Sequence, residues 1–150
     1  MYKNILVPLD GSELAESALV EAGKIAKLIN DSKLVLLTVV KIPSVLVADG
    51  VEGLNLPKFK QSQFDKSQKY LAEIESRLSS EGIKATSDVI EGAVAESIVE
   101  YSLKNAIDLI VIATHGYTGM KKLMLGSVAL SVLHDSHVPV LLIRPEGSRK

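Results

Sequence analysis

Short apolar blocks alternate along the chain with longer stretches in which apolar residues recur at helical spacing. The blocks cover residues 5–9, 34–40, 85–90, 109–113 and 138–143, of which 85–90 is only partly apolar and predicts the weaker strand. The stretches between them predict helices over about 12–30, around 64–78, over about 93–105 and from 126 onward. This alternation is typical of βαβ units wound around a parallel sheet. We therefore predict an α/β protein with five strands and four main helices.

Chain length and composition favour one compact domain. The 150 residues fall near the commonest domain size, and 47% of them are hydrophobic, which is enough to build a core. We therefore predict a single domain over residues 1–150. One segment departs from the regular pattern, because residues 42–58 contain Pro43, Gly50 and Pro57 and predict a long loop, a kind that is usually functional or mobile.

The charge balance argues against two classes of partner. The chain has 17 basic and 18 acidic residues, a net charge of −1, without the basic surplus that nucleic acid or an anionic membrane surface requires. No apolar run approaches the length of about 20 residues that spans a bilayer, and no signal-peptide core precedes Asp10. The chain has no cysteine, which excludes disulfides and thiolate chemistry. We expect a cytoplasmic protein that binds neither nucleic acid nor membranes.

The best candidate for chemistry lies between the fourth apolar block and the last helix. Gly116 and Gly126 leave the backbone unscreened at either end of this loop, and Gly126 directly precedes the helix. Free amides and the positive dipole end at a helix N-terminus hold anions, so the segment predicts a phosphate cradle. The residues leave two roles open for Ser127, whose hydroxyl either donates to a phosphate or caps the helix.

The same segment resembles the nucleotide-binding signature of the universal stress protein family, G-x2-G-x9-G-(S/T). Gly116, Gly126 and Ser127 match its last three positions, whereas Ala113 stands where the first glycine belongs. The resemblance covers essentially the whole chain and is also carried by residues 5–12, 108–112 and 138–143.

The resemblance implies a Rossmann-like, doubly wound parallel sheet in the order 3-2-1-4-5, with ATP bound where the winding reverses between strands one and four. It implies that Asp10 meets the ribose hydroxyls or, through a bound water, a magnesium ion, so ATP and Mg²⁺ are the expected cofactors. It also implies that Val39 lines the adenine and that Ile112 offers backbone polar groups to its edge. The implied binding set comprises Asp10, Val39, Ile112, Ala113, His115, Gly116, Gly126, Ser127 and Val128.

Several of these residues also have a plain structural role that the sequence leaves open. Asp10 fits a cap of the first helix, a role that Ser12 fits as well. Val39 and Ile112 fit the apolar core. His115 either contacts a phosphate or orients the turn in which it stands.

Two other pairs of polar residues have ordinary explanations. Lys121 and Lys122 lie inside the candidate phosphate loop, where they either screen the terminal phosphates or form a solvated face. His134 and His137 stand three apart near the end of the last helix without an evident third metal ligand, so we expect surface or helix-end histidines. We assign no catalytic residue, because the sequence has neither a P-loop nor a GxSxG motif, and we expect any ATP hydrolysis to be slow.

The order 3-2-1-4-5 places the last strand at an edge of the sheet. Its apolar run, which starts at Val138 and ends at Ile143, leaves unpaired amides exposed unless something covers them. Members of the family commonly dimerise through this strand, so the resemblance and the edge agree on a homodimer. Pro139 predicts that pairing is interrupted near the start of the strand.

These expectations combine into an ATP-binding, nucleotide-responsive protein that acts as a regulatory or sensing dimer of the stress response. The main alternative keeps the fold but lacks the nucleotide, so that the protein is an interaction and dimerisation module; Ala113 keeps this alternative open. A phospho-accepting receiver domain shares five strands and alternating helices, although it needs several converging carboxylates and the first strand here ends in Asp10 alone. A true ATP hydrolase is the remaining alternative.

Overall fold

The computed structural model describes residues 1–41, 56–115 and 125–145. Across these residues, strands and helices alternate as the hydrophobic pattern predicts. In chain order the elements are β1 (Asn4–Pro8), α1 (Glu13–Leu28), β2 (Lys33–Val40), α2 (Leu56–Ser80), β3 (Ala85–Glu91), α3 (Val94–Lys104), β4 (Leu109–Ala113), α4 (Ser127–Asp135) and β5 (Val140–Ile143). The predicted five strands and four helices are confirmed within the described part of the chain.

The five strands form one parallel sheet in the order β3-β2-β1-β4-β5. This order confirms the doubly wound, Rossmann-like arrangement that the resemblance implies. It also shows that the receiver-domain alternative is wrong, because doubly wound sheets of that class run in the order 2-1-3-4-5. β1 lies at the centre, with Pro8 opposite Leu37 of β2 and Leu6 opposite Ile110 of β4.

Helices cover both faces of the sheet and divide the core into two layers. On one face, α1 and α2 bury their apolar residues against strand side chains such as Val7, Leu36 and Val111. On the other face, α3 and α4 pack through Ile98 and Val132 against the alternate residues of the same strands. The central strands are therefore almost entirely apolar, as strands covered on both faces are.

Helix α2 starts earlier than the sequence pattern predicts. It begins at Leu56, so the last residues of the segment predicted to be irregular over 42–58 are helical, while residues 42–55 lie outside the described part. Gly82, at φ +78°, adopts the left-handed conformation that commonly follows the end of a helix. No helix among the described residues is both long and apolar enough to cross a membrane.

Strand β5 is shorter than the apolar block that predicts it. It begins at Val140 rather than at residue 138. Pro139 has no amide hydrogen to donate, which explains the late start, although its carbonyl still accepts from the Ile110 amide at 2.9 Å. The interruption predicted for the start of this strand is confirmed, and β5 lies at an edge of the sheet.

We expect stability to depend on side-chain volume in β2. Leu36 is fully buried, so Leu36→Ala leaves a cavity and lowers the free energy of unfolding by about 2–5 kcal/mol. Leu28→Ala is the control, because Leu28 is 84% exposed at the end of α1 and its loss should change stability by less than about 0.5 kcal/mol. Urea unfolding followed by circular dichroism measures both variants; equal shifts of the two midpoints would contradict the layered core.

Candidate functional site

Strands β1 and β4 are neighbours in the sheet, but the chain leaves them towards opposite faces. Helix α1 follows β1 on one face, and α4 follows β4 on the other. Such a reversal opens a crevice at the carboxyl ends of the two strands, where doubly wound proteins bind their ligands. A cleft of about 220 Å³ lies at this position. This volume is somewhat smaller than the range of about 300–1,000 Å³ that is common for ligand pockets.

The cleft brings together eight of the nine residues of the implied binding set. They are Asp10, Val39, Ile112, Ala113, His115, Gly126, Ser127 and Val128. The ninth, Gly116, lies outside the described residues, as do Lys121 and Lys122 of the same loop. Side chains within the described ranges leave this crevice unfilled.

The cleft also has lining residues that the sequence analysis did not single out. They are Pro8, Leu9, Ala15, Leu37, Val94, Ile98, Thr114 and Ala129. Apart from Thr114 they are apolar, so the hydrophobic pattern assigns them to the core. Val94 and Ile98 lie about one turn apart at the start of α3, and this spacing is the signal that could have identified α3 as a wall of the cleft.

A short hydrogen-bond network holds the turn that contains Asp10. Ser12 donates from its amide and its hydroxyl to Oδ1 of Asp10, at 2.9 and 2.5 Å, and the hydroxyl accepts from the Ala15 amide at 3.1 Å. Gly11 between them has φ +90°, a conformation that favours glycine. Ser12 is the N-cap of α1, so the alternative that Asp10 caps this helix is wrong. The exposed Asp10 side chain lines the cleft instead.

A close backbone contact at Gly126 shapes the opposite rim. The Gly126 amide donates to the Thr114 carbonyl at 2.8 Å, and an added Cβ at position 126 would lie 2.7 Å from the same oxygen. Gly126 is the N-cap of α4, so the alternative that Ser127 caps this helix is wrong. Ser127 is exposed at the first helical position. The first-turn amides of a helix have no intrahelical partner, which gives this rim donors for an anion.

Ala113, the departure from the family signature, occupies an ordinary strand position. It is the last residue of β4 and pairs with Ile143 of β5 in the regular parallel ladder. A strand position requires no positive φ, so alanine fits there without backbone strain. Ala113 forms part of the cleft wall.

His115 is buried two residues after the end of β4 and lines the cleft. Its ring Nδ1 lies 2.9 Å from the Thr114 hydroxyl oxygen. This placement agrees with both roles considered for His115, contact with a phosphate and orientation of the turn.

A second titratable group adjoins the Asp10 rim. Burial raises the pKa of Tyr70 above its usual value, and the negative charges of Glu16 and Asp10 raise it further. The Tyr70 phenol therefore stays neutral at physiological pH, so the carboxylates supply the negative charge on this side of the site.

The two histidines near the end of α4 are surface residues. His134 lies in the last turn and its Nδ1 is 2.8 Å from the Asp135 carboxylate. Both His134 and His137 are exposed, which confirms the prediction of surface or helix-end histidines. Within the described ranges, no three His, Cys, Asp or Glu side chains gather as a metal site.

The sheet order and the cleft at the reversal of winding define a Rossmann-like α/β protein with a candidate ligand site between β1 and β4. The chain belongs to the universal stress protein family, whose family model matches residues 1–144. Universal stress protein MJ0531 of Methanocaldococcus jannaschii is 34% identical over 145 residues, covering 96% of this chain and 83% of that relative. MJ0577 of the same organism is 31% identical, covering 99% of this chain and 98% of its own length.

Solved structures share the fold over nearly all of both chains. The structure of MJ0577 matches with a TM-score of 0.84 at 29% identity and covers 97% of this chain and 98% of that chain. UspA of Lactobacillus plantarum matches with a TM-score of 0.79 at 25% identity, covering 95% and 98%. The fold that the resemblance implies is therefore the fold of the family.

We expect the α4 rim to tolerate no side chain at position 126. Gly126→Ala places a methyl group against the Thr114 carbonyl oxygen, so the start of α4 must shift, which should lower the free energy of unfolding by about 1–3 kcal/mol. Gly23→Ala in α1 is the matched control and should destabilise the protein less. Its methyl group meets the side-chain Cδ1 of Ile83 at 3.2 Å, and alanine is a better helix former than glycine. Thermal unfolding compares the two variants; equal stability would refute the close contact at Gly126.

Proposed function

We propose that this protein binds ATP together with Mg²⁺ in the cleft between β1 and β4 and acts as a cytoplasmic, nucleotide-responsive regulatory or sensing protein of the stress response. One observation carries the proposal: the Asp10 carboxylate and the N-terminus of α4 line the same apolar-walled cleft. ATP has the matching polarity, with a flat base, a hydroxylated sugar and an anionic tail.

Each part of ATP has a complementary group in the proposed complex. The adenine packs between Val39 and Ile112, and the ribose hydroxyls donate to the Asp10 carboxylate. The phosphates accept from the first-turn amides of α4 and from the Ser127 hydroxyl, with His115 beside them. The remaining proposed contacts are Ala113, Gly116, Gly126 and Val128.

The donor set fits a magnesium ion that is held mainly by the nucleotide. Mg²⁺ is usually bound through one or two carboxylates together with substrate phosphates and waters. Asp10 supplies a carboxylate to the cleft and reaches such an ion through a bound water. The proposed site therefore needs no larger cluster of protein ligands.

Two universal stress proteins of the same fold have been solved with adenine nucleotides. One is in complex with cAMP, at a TM-score of 0.70 and 24% identity to this chain. Another, from Archaeoglobus fulgidus, is in complex with dAMP, at a TM-score of 0.66 and 19% identity. At these identities the likeness establishes the shared fold, so the adenine ligand class comes to this chain as part of the proposal.

The proposed role is binding rather than turnover. Amides at a helix N-terminus and an exposed hydroxyl hold phosphates, but fast phosphoryl transfer also needs a positioned lysine or arginine on the transferred group. The sequence has no P-loop motif that would place such a lysine. We therefore propose that any ATP hydrolysis is slow.

We further propose that two copies of the chain pair through β5. The carbonyls of Pro139 and Ile143 accept from the amides of Ile110 in β4 and of Thr114 just after it. The alternation of the strand therefore turns the peptide groups of Val140 and Leu142 outward. Leu141, 38% exposed, lies between them. An outward row of peptide groups beside apolar side chains is a template for a second strand, which supports the homodimer.

ATP is expected to stabilise the protein in a manner that depends on Asp10. With ATP at 100 times its Kd, the free energy of unfolding should rise by about 2.7 kcal/mol. Asp10→Ala removes an ionised acceptor and should weaken binding about 10- to 100-fold. Calorimetric titration with ATP and magnesium chloride measures the affinities, and thermal unfolding measures the stabilisation.

The control for this experiment is Asp65→Asn, which changes an exposed carboxylate on α2 and should leave ATP affinity unchanged. Absence of stabilisation by ATP, ADP and AMP would favour the interaction-module alternative over nucleotide binding. Phosphate release that persists undiminished in both Asp10→Ala and Ser127→Ala would point to a contaminating hydrolase.

Leu141→Lys is expected to disrupt the proposed dimer. Two-fold pairing brings the two copies of β5 side by side, so the substitution places like charges close together at the edge. Sedimentation velocity should show a dimer for the parent chain and a monomer for Leu141→Lys. Thr86→Lys on β3, at the opposite edge, should remain dimeric. A monomeric parent chain, or a dimeric Leu141→Lys variant, would contradict pairing through β5.

A further inference from the structure

A hydroxyl group is buried in the otherwise apolar strand β2. Thr38 is the one polar residue in the run 34–40, and it is 8% exposed. Its Oγ1 donates to the carbonyl oxygen of Leu9 at 3.0 Å. Valine has nearly the same shape as threonine and suits a strand equally well, so the hydroxyl is not needed to fill the space.

The hydrogen bond joins β2 to the residue just before Asp10. β1 ends at Pro8, opposite Leu37, while β2 continues beyond this point. The Leu9 amide donates to the Leu37 carbonyl at 2.8 Å, and the Leu9 carbonyl accepts from Thr38. Both polar groups of the Leu9 backbone are thus held by β2 although the regular part of β1 has ended.

The other side of the turn is fixed to α1. Ser12 donates twice to Oδ1 of Asp10 and is itself the N-cap of that helix. The Asp10 carboxylate therefore lies between two anchors. One is the Leu9 backbone, which β2 holds, and the other is Ser12, which caps α1. Releasing either anchor removes one of the constraints on this turn.

We propose that Thr38 is a positioning residue of the candidate nucleotide site. Its hydrogen bond to the Leu9 carbonyl fixes the direction in which Asp10 presents its carboxylate to the sugar of a bound adenine ribonucleotide. The inference rests on the proposed ATP binding. It adds a residue of β2 whose side chain acts on the Asp10 turn through the Leu9 carbonyl.

A purely structural hydroxyl would behave differently, and the chain offers one for comparison. Ser102 is 1% exposed in α3, and its Oγ donates to the Val99 carbonyl at 2.6 Å. Like Thr38, it is a buried hydroxyl that satisfies a backbone carbonyl and does not itself line the cleft. Its acceptor, however, belongs to α3 and not to the turn that contains Asp10. Ser102→Ala is therefore the matched control for Thr38→Val.

The test is a calorimetric titration of each variant with ATP and magnesium chloride. Thr38→Val should weaken ATP binding about three- to ten-fold, the scale of one hydrogen bond. Thr38→Ser keeps the hydroxyl and should retain most of the parent affinity. Ser102→Ala should lower the thermal unfolding temperature and leave ATP affinity unchanged.

A double-mutant cycle with Asp10→Asn separates positioning from general destabilisation. When Asp10→Asn has removed the carboxylate, Thr38→Val should cause no further loss of affinity. Unchanged affinity in Thr38→Val, an equal loss with and without Asp10→Asn, or a Thr38→Ser variant as weak as Thr38→Val would overturn the positioning role while leaving ATP binding intact. A parent chain that binds no ATP would overturn the proposed function together with this inference.

Discussion

The hydrogen bond from the Gly126 amide to the Thr114 carbonyl is the contact on which the candidate site depends. It joins the chain just before α4 to the chain just after β4, at a distance that excludes a Cβ on residue 126. The N-terminus of α4 is thereby held over the carboxyl end of β4. Without this contact, the crevice between β1 and β4 would keep its apolar walls but lose the array of amide donors at one rim.

The opposite rim is fixed by a different device. Its elements are a buried side-chain hydroxyl on β2, a glycine with positive φ and a serine that both caps α1 and donates to Asp10. Both rims are therefore held by hydrogen bonds to the backbone of rigid elements. Groups that are already ordered lose little conformational entropy when a ligand binds, so this construction favours affinity for a ligand of matching shape.

The sequence predicts the elements of this fold well because burial on both faces leaves a direct trace in the pattern of apolar residues. The block 109–113 is apolar throughout and is β4, buried on every residue. The order of the strands has no such trace, since periodicity reports that a face is buried but not which neighbour covers it. That order came from the family resemblance, and the observed sheet confirms it.

The details of the site were harder to predict for the same reason. Val94 and Ile98 read as core residues because a cleft wall and a core have the same apolar character. Which residue caps a helix depends on backbone angles and local contacts that a sequence pattern does not report. The structure has Gly126 rather than Ser127 as the cap of α4, and Ser12 rather than Asp10 as the cap of α1. The Thr38 contact joins residues 29 apart in the chain, which no local pattern reveals.

A crystal structure of the protein grown with ATP and magnesium tests the central claim most directly. The account predicts adenine between Val39 and Ile112, a ribose hydroxyl within hydrogen-bond distance of the Asp10 carboxylate, and phosphate oxygens on the amides of Ser127 and Val128. ATP bound elsewhere on the protein, or a cleft that stays empty at saturating ATP, would contradict it.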